Sequence, residues 1–255
     1  MSERYLSANR LLESRFRTID GATVVLRDLI LDAASWEVAF LAAEVEGWAP
    51  GRQVLLLPGD IARVDEAAGA VALALDAPAL RVSPSLVAGS ELGGVGADVA
   101  PPRRWRSRWA AGAEPERRGD ARPPAPDPVE IPAMRTGDAA DMIRAETLCS
   151  FGVETADGAT LRLLDLLLDD TTWTLAFLEL AVGPKSDGRI AERVRQATRC
   201  LVPRRDIDWV NRRGQTLHLA VWGDELRSAP LGPHPAAEKG AQVRTLGGRS
   251  WHTKP

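Results

Sequence analysis

The 255-residue chain is poor in the residues that most often carry out chemistry, with two cysteines, three histidines and one tyrosine. It has no recognisable catalytic triad, no H-x-E or C-x-x-C motif, no P-loop, and no G-x-G-x-x-G leading into a helix. His218 falls on a predicted strand, whereas His234 and His252 fall in the C-terminal tail. We therefore expect a protein without enzymatic activity, catalytic residues, bound cofactor or metal ligands.

The sequence also lacks a long apolar run and a strong overall charge. No stretch approaches the roughly 18 apolar residues that cross a bilayer, and residues 1–10, MSERYLSANR, lack the apolar centre of a signal peptide. A net charge of −3 gives no overall attraction to nucleic acids or anionic membranes, so any basic contact surface must be local. These features predict a cytoplasmic protein, either free or peripheral to the inner membrane.

What the sequence does contain is an internal repeat. Residues 18–45 read TIDGATVVLRDLILDAASWEVAFLAAEV and residues 155–182 read TADGATLRLLDLLLDDTTWTLAFLELAV, with 15 of 28 positions identical at an offset of 137. After an insertion of nine residues, the match resumes at an offset of 146. Such a self-match sets the architecture of a chain. It predicts a first domain at residues 5–87 and a second at residues 143–230.

The segments outside the repeat have a different composition. Residues 88–142 are rich in glycine, proline and arginine and show no apolar periodicity, which predicts a flexible linker. Residues 231–255 contain proline and glycine without a pattern, which predicts a disordered tail.

The two cysteines occupy apolar positions of the repeat. Cys149 aligns with Leu12, and Cys200 aligns with Val54. A reduced cysteine at such a position behaves as a small hydrophobic residue. Neither the spacing nor a neighbouring histidine favours the alternatives, a disulfide or a catalytic thiol.

Each copy opens with an Asp-Gly turn between two predicted strands. Asp20-Gly21 in the first copy and Asp157-Gly158 in the second are typical of a tight type I′ hairpin turn, which needs positive φ at both central residues. The strand that follows is rich in β-branched and aliphatic residues. We interpret these four residues as structural turn residues.

The D-x-x-x-W segment of each copy predicts a capped turn followed by core aromatic residues. Two-residue alternation places Trp36, Val38 and Phe40 on one face of a strand. We interpret the aromatic residues as core, the alternative being a ligand pocket. Asp32 is predicted to cap the turn; the alternative is a cation site shared with Asp28, for which two carboxylates are too few. The same predictions apply in the second copy to Asp165, Asp169, Trp173 and Phe177.

Several stretches resemble the PRC-barrel family. They are FRTIDGATVVLRDLILDAASWEVAFLAAEV, GWAPGRQVLLLPGDIARVD and APALRVSP in the first copy, and TADGATLRLLDLLLDDTTW, CLVPRRDIDWV and LRSAP in the second. The resemblance implies an all-β fold: two small antiparallel PRC-type β-barrels in tandem, each closed by a short helix. The composition of residues 88–142 predicts that a disordered Pro/Gly/Arg-rich linker joins them. The family includes the cytoplasmic domain of the photosynthetic reaction-centre H subunit and the C-terminal domain of RimM ribosome maturation factors, so it implies contact rather than catalysis.

Candidate contact residues are aromatic or basic and lie mostly outside the matched strands. Arginine and tryptophan alternate in residues 103–109, which suits an anionic lipid surface or single-stranded nucleic acid; the alternative is a solvated, disordered stretch. The second copy has a local excess of arginine that suits RNA or an acidic protein; the alternative is a solvated face. The candidates are Trp48, Arg103, Arg104, Trp105, Arg106, Arg108, Trp109, Arg189, Arg193, Arg204 and Arg205.

Taken together, these features predict a non-enzymatic adaptor for protein interaction or assembly, whose partner is another protein or complex. One alternative is a peripheral component of a membrane complex, similar to the reaction-centre H subunit, with residues 103–109 as the contact. A second alternative is a factor associated with ribosomes or RNA processing. The two copies are expected to pack as an intramolecular pseudo-dimer, to form a homodimer, or to remain tethered by the linker.

Overall fold

The computed structural model describes residues 4–45, 53–65, 68–81, 83, 85–86, 142–183, 198–236 and 241–246. The all-β class predicted from the sequence is confirmed, because strands dominate the described residues and their helices span only five or six residues each. None of the described helices is long and apolar enough to cross a membrane. Apart from Met142, the predicted linker at 88–142 lies outside the described residues.

Both copies present their elements in the same order. The first copy contains β1 (Tyr5–Ser7), α1 (Ala8–Glu13), β2 (Arg15–Arg17), β3 (Thr23–Asp32), β4 (Val38–Val45), β5 (Gln53–Leu56), β6 (Ile61–Asp65), β7 (Ala70–Leu73), α2 (Ala77–Arg81) and β8 (Ser85–Leu86). The second contains β9 (Met142–Arg144), α3 (Ala145–Cys149), β10 (Gly152–Glu154), β11 (Thr160–Asp169), β12 (Leu175–Val182), β13 (Thr198–Pro203), β14 (Ile207–Asn211), β15 (Thr216–Leu219), α4 (Gly223–Ser228), β16 (Leu231–Pro233) and β17 (Gln242–Thr245).

The strands form two curled sheets, one built mainly on each copy. The first follows the order β6-β7-β2-β3-β4-β5-β8, and the second follows β14-β15-β10-β11-β12-β13-β17-β16. Most neighbours are antiparallel, but β2 runs parallel to β7, β10 to β15 and β13 to β17. The sheets are therefore mixed rather than purely antiparallel. The β2–β7 and β10–β15 pairs each join a strand near the start of a repeat to one near its end, which bends each sheet back on itself.

The strand that opens each copy pairs with the other copy. Strand β1 lies antiparallel to β11, with Leu6 opposite Leu168, and β9 lies antiparallel to β3, with Ile143 opposite Leu31. We call β1 and β9 the arms, and the contact between the copies the seam. The sequence predicts two units, each built from its own strands, and the structure differs because the arms are exchanged. A three-residue strand contains no signal that says which of two similar copies it will join.

One hydrophobic core extends across the seam. It contains Leu6 and Leu11 from the first arm and helix, Ile143 and Leu148 from the second, and residues of both sheets, including the fully buried Phe16. A unit of about 80 residues buries only about 60% of the surface of its extended chain. Sharing one core therefore stabilises both copies.

A β-bulge gives the core aromatic residues an orientation that differs from the predicted one. Leu31 faces Val38 across the sheet, but Ile30 faces Phe40, so Ala39 is an extra residue in β4. The extra residue reverses the alternation that the sequence predicts. Val38 packs in the shared core, whereas Phe40 packs on the opposite face with Ile30. The second copy has the equivalent irregularity, and Leu175 and Phe177 likewise lie in different clusters.

The Asp-Gly turns are wider than a type I′ turn. Gly21 has φ of 86° and Gly158 has φ of 77°, but neither preceding aspartate has positive φ. The Asp20 carboxylate instead accepts hydrogen bonds from Thr18 Oγ1 and from the backbone N–H of Ala77, where α2 begins. The turn therefore fastens the short helix to the sheet, a contact 57 residues away in sequence that a dipeptide pattern cannot predict.

The predicted disordered tail is wrong for residues 231–236 and 241–246, which form the hairpin β16–β17 on the edge of β13. Val243 is fully buried, and with Ala236 it covers Phe177 and Leu201. Each strand is too short to show periodicity, so the order of the hairpin depends on the surface that it covers rather than on a local pattern.

Candidate contact site

The two D-x-x-x-W turns meet each other at the seam. The Val38 N–H donates to the Trp173 carbonyl, and the Leu175 N–H donates to the Trp36 carbonyl, both at 2.8 Å. Between them, Glu37 and Thr174 form an isolated antiparallel bridge. The contacts are related by the 137-residue offset, so the seam has an internal two-fold symmetry.

Both tryptophans adopt a backbone conformation that L-residues avoid. Trp36 has φ of 63° and Trp173 has φ of 56°. Such a conformation costs about 1–3 kcal/mol and persists only where the surroundings impose it. Here, the carbonyl of each strained residue accepts a hydrogen bond from the other copy. The side chain of Trp36 is 8% exposed and packs in the shared core, while Trp173 is only partly buried.

The aspartates of these turns accept hydrogen bonds from the turn backbone. Asp32 Oδ1 accepts from the Ala34 N–H at 2.8 Å, and Asp169 Oδ1 accepts from the Thr171 and Thr172 N–H groups. Burial acts to raise the pKa of Asp169, but the hydrogen bonds from Thr172 and Thr171 outweigh it, and the pKa lies below its ordinary value. Among the described residues, no group of three or more His, Cys, Asp or Glu side chains is placed to hold a metal ion.

The other recurring carboxylates, Asp28 and Asp165, reach across the seam. Asp165 accepts hydrogen bonds from Ser7 Oγ and from the Asn9 N–H at 3.1 Å, at the start of α1. Asp28 accepts from the Glu146 N–H at 3.2 Å, at the start of α3. Each copy thus caps the helix that follows the other copy's arm. The sequence shows that these residues recur, but only the exchange of the arms reveals their shared role.

Burial raises the pKa of both capping carboxyls above the ordinary value. The strongest opposing effects are the Ser7 hydrogen bond for Asp165 and the Glu146 backbone hydrogen bond for Asp28. Asp28 is 1% exposed and Asp165 is 7% exposed, so desolvation dominates. In addition, Arg144 Nη1 lies 3.5 Å from Asp28 Oδ2, which offers partial charge compensation.

An exposed aromatic row lies on the outer face of the second sheet. Trp209 on β14 faces His218 on β15, which faces Glu154 on β10. The indole and imidazole rings are stacked, with centroids 3.8 Å apart and planes within 5°, and His218 Nδ1 lies 3.5 Å from a Glu154 carboxylate oxygen. Trp209 remains 49% exposed. We call these three residues the Trp209 row.

The first sheet has different chemistry at the equivalent positions. Arg63, Ala72 and Arg17 replace the three residues of the Trp209 row. The two copies thus share a core but present different outer faces. Sequence comparison aligns His218 with Ala72, but it does not give the residues beside it. Trp209 lies on the preceding strand of the same hairpin, where a register shift between Ile207 and Trp209 sets the pairing, and Glu154 lies on a strand from a separate part of the chain.

The predicted basic residues have different positions. Arg204 Nη1 donates to the Ser35 carbonyl in the first copy, so this residue belongs to the seam. Arg205 Nε lies 3.9 Å from the Asp206 carboxylate, and its side chain is 68% exposed. The remaining candidates lie outside the described residues: Trp48, Arg103, Arg104, Trp105, Arg106, Arg108, Trp109, Arg189 and Arg193.

A buried charged cluster holds the tail hairpin on the second sheet. Glu179 is 2% exposed; it accepts a hydrogen bond from Arg199 Nη1 at 2.8 Å, and His234 Nε2 lies 3.4 Å from its other oxygen. Burial acts to raise the pKa of Glu179, but His234 and Arg199 outweigh it and lower the pKa. The first copy has Ala42 here, so the cluster is a feature of the second copy, and sequence reasoning missed it.

The two cysteines are free thiols, Cys200 buried and Cys149 partly buried. Burial raises the pKa of each thiol to about 12. Both are therefore protonated near neutral pH and are poor nucleophiles.

No protein-family model matches the chain, and no curated protein sequence matches it.

Proposed function

We propose that this chain is a non-enzymatic interaction adaptor, built from two PRC-type β-barrel units whose arms are exchanged. The Trp209 row is the observation that carries the proposal. A tryptophan that remains 49% exposed while stacked at 3.8 Å on a neighbouring ring is held in one orientation before any partner arrives. Interface energy concentrates in such large, rigid aromatic residues, because they bury much area at little entropic cost.

The difference between the copies supports an adaptor role. The shared core requires similar inner faces, and these are retained in both copies. The outer faces are not under that constraint, and they have diverged to Arg63 and Arg17 in one copy and to Trp209 and Glu154 in the other. Two copies that share one core and present two distinct faces can hold two different partners at once.

Association with RNA is the second candidate function, supported by the same ring stack. An exposed indole accepts a nucleobase by stacking, worth about 1–3 kcal/mol per base, and Arg205 lies four residues before Trp209 in the chain. The alternative of peripheral association with a membrane complex depends on residues 103–109, which lie outside the described residues.

The proposal is tested by comparing two exposed tryptophans. The wild-type chain is used to capture partners from its native cell extract. Trp209→Ala is expected to reduce the amount of these partners recovered by at least about tenfold, as measured by quantitative mass spectrometry. Trp222→Ala is the matched control, because Trp222 is 59% exposed and belongs to neither of the ring pairs found among the described residues. It should retain the same partners, and both variants should unfold within about 1 kcal/mol of wild type.

Recovery of the same partners with Trp209→Ala would contradict the proposal. Nuclease treatment and salt separate the two candidates. Protein partners should survive nuclease digestion, whereas RNA association should disappear and should weaken steeply between low and moderate salt.

A further inference from the structure

A cleft of about 250 Å³ opens between the two copies beside the seam. Residues 4–6 of the first arm and residues 61–64 of β6 line one part of it, and Asp170 and Trp173 of the second copy line the other. The Asp170 N–H donates to the Arg4 carbonyl at 3.2 Å, which ties the arm to the turn at the wall of the cleft. The cleft is therefore complete only when the first arm lies on the second copy.

The charged residues of the cleft favour an anion with a single charge. Arg4 and Arg63 contribute two positive charges and Asp170 one negative charge, a net of +1. Arg63 also contacts Asp65 at 3.1 Å, but their side chains are 75% and 38% exposed, and an exposed ion pair of this kind is weak. Asp170 would repel a second negative charge, so a carboxylate fits better than a phosphate, and the guanidinium fork matches its geometry.

The remaining lining is apolar and partly aromatic. Leu6, Ile61 and Val64 supply aliphatic surface, and Trp173 supplies an indole that is partly buried. The strained backbone of Trp173, with φ of 56°, is fixed by hydrogen bonds on both sides of the turn. Pockets for small ligands combine such apolar walls with a few polar groups, and they occur often at the interface between two units.

The internal two-fold symmetry provides a comparison within the same molecule. At the equivalent positions on the other side of the seam, Trp209 replaces Arg63, Asp208 replaces Ala62, and Ala33 replaces Asp170. The tryptophan of the turn is kept, as Trp36, but it is more deeply buried than Trp173. The repeat alone therefore does not account for the basic character of the cleft.

We infer that this cleft binds a carboxylate attached to an aromatic ring, with the carboxylate on Arg4 and Arg63 and the ring on Trp173. The ligand is either a small aromatic acid or the free C-terminus of a peptide that ends in an aromatic residue. The site is separate from the Trp209 row, and it goes beyond the proposed function.

Ligand-observed NMR on the full chain tests the inference with benzoate and indole-3-acetate as probes. Both should bind saturably, with dissociation constants near the millimolar range, and the uncharged indole-3-acetamide should bind about tenfold more weakly. Arg63→Gln and Arg4→Gln should each weaken the acids by about tenfold. Arg162→Gln is the matched control: its side chain is exposed on β11 of the second sheet, outside the cleft, and it should leave binding unchanged.

A second arm of the experiment distinguishes the two sources of the ligand. A short peptide ending in a free tryptophan carboxylate is compared with the same peptide as its amide. Tighter binding of the acid peptide than of the free acids assigns the cleft to a partner's chain end, and equal or weaker binding assigns it to a small aromatic acid. Absence of saturable binding by every acid up to about 10 mM, or binding that Arg63→Gln leaves unchanged, would overturn the inference.

Discussion

Replacing Trp36 by alanine is expected to lower the free energy of unfolding by about 3–5 kcal/mol. The side chain is 8% exposed and packs in the core that both copies share, so its removal leaves a cavity beside the seam. Chemical denaturation followed by circular dichroism measures the change. The matched control is Trp209→Ala, which removes an exposed indole and should cost less than about 1 kcal/mol.

The backbone of Trp36 makes a sharper form of this prediction possible. Its φ of 63° disfavours every L-residue, including alanine, by about 1–2 kcal/mol, whereas glycine adopts it freely. Trp36→Gly should therefore be more stable than Trp36→Ala, although glycine is normally the less stable substitution. A Trp36→Ala variant as stable as wild type would contradict the core role of the indole, and the normal order of alanine over glycine would contradict the strain.

Replacing Asp165 by alanine and by asparagine is expected to change the stability of the protein differently. Asp165→Ala should destabilise the protein by about 2–4 kcal/mol, because the Asn9 and Leu166 N–H groups and the Ser7 hydroxyl lose their acceptor. Asp165→Asn keeps an oxygen for both N–H groups and removes a buried charge, so it should be close to wild type or more stable at neutral pH. Equal losses for both would contradict the capping role.

The difference in stability between Asp165→Asn and wild type should depend on pH, because the pKa of Asp165 is raised. On acidification, the folded state takes up a proton on Asp165 before the unfolded state does, so this group stabilises the fold increasingly as the pH falls from the raised pKa toward 3.8. The advantage of Asp165→Asn over wild type should therefore shrink between about pH 7 and pH 4. Comparing the two proteins cancels the other carboxyls, including Asp20 and Asp157, whose pKa values hydrogen bonds from Thr18 and Thr155 lower. An advantage that is constant with pH would contradict this explanation.

The sequence predicts those parts of the fold that depend on neighbouring residues. The repeat and the long strands are visible in it, because composition and alternation act locally. The orientation of Phe40 is mispredicted, because one extra residue, Ala39, reverses the alternation and a bulge has no sequence signature here. The order of the tail likewise depends on the surface that Val243 covers rather than on its own strand.

The candidate sites are less predictable, because each includes a residue that is distant in the chain. Trp209 and His218 pair within one hairpin, but Glu154 joins them from a strand about 60 residues earlier. The cleft depends on the exchanged arm, which brings Arg4 beside Asp170. Two copies of similar sequence offer the arm two similar strands, so the choice between them follows from packing rather than from pattern.

The exchange of the arms is the central feature of this structure, and cutting the chain between the copies tests it most directly. A protease site is inserted between Leu86 and Met142, the folded protein is cleaved completely, and the products are examined by size-exclusion chromatography with light scattering at micromolar concentration. Because β1 pairs with β11 and β9 with β3, the two fragments should elute together with the mass of the intact chain and separate only under denaturing conditions. Elution as two separate folded fragments would show that the copies are independent units and would contradict the shared core.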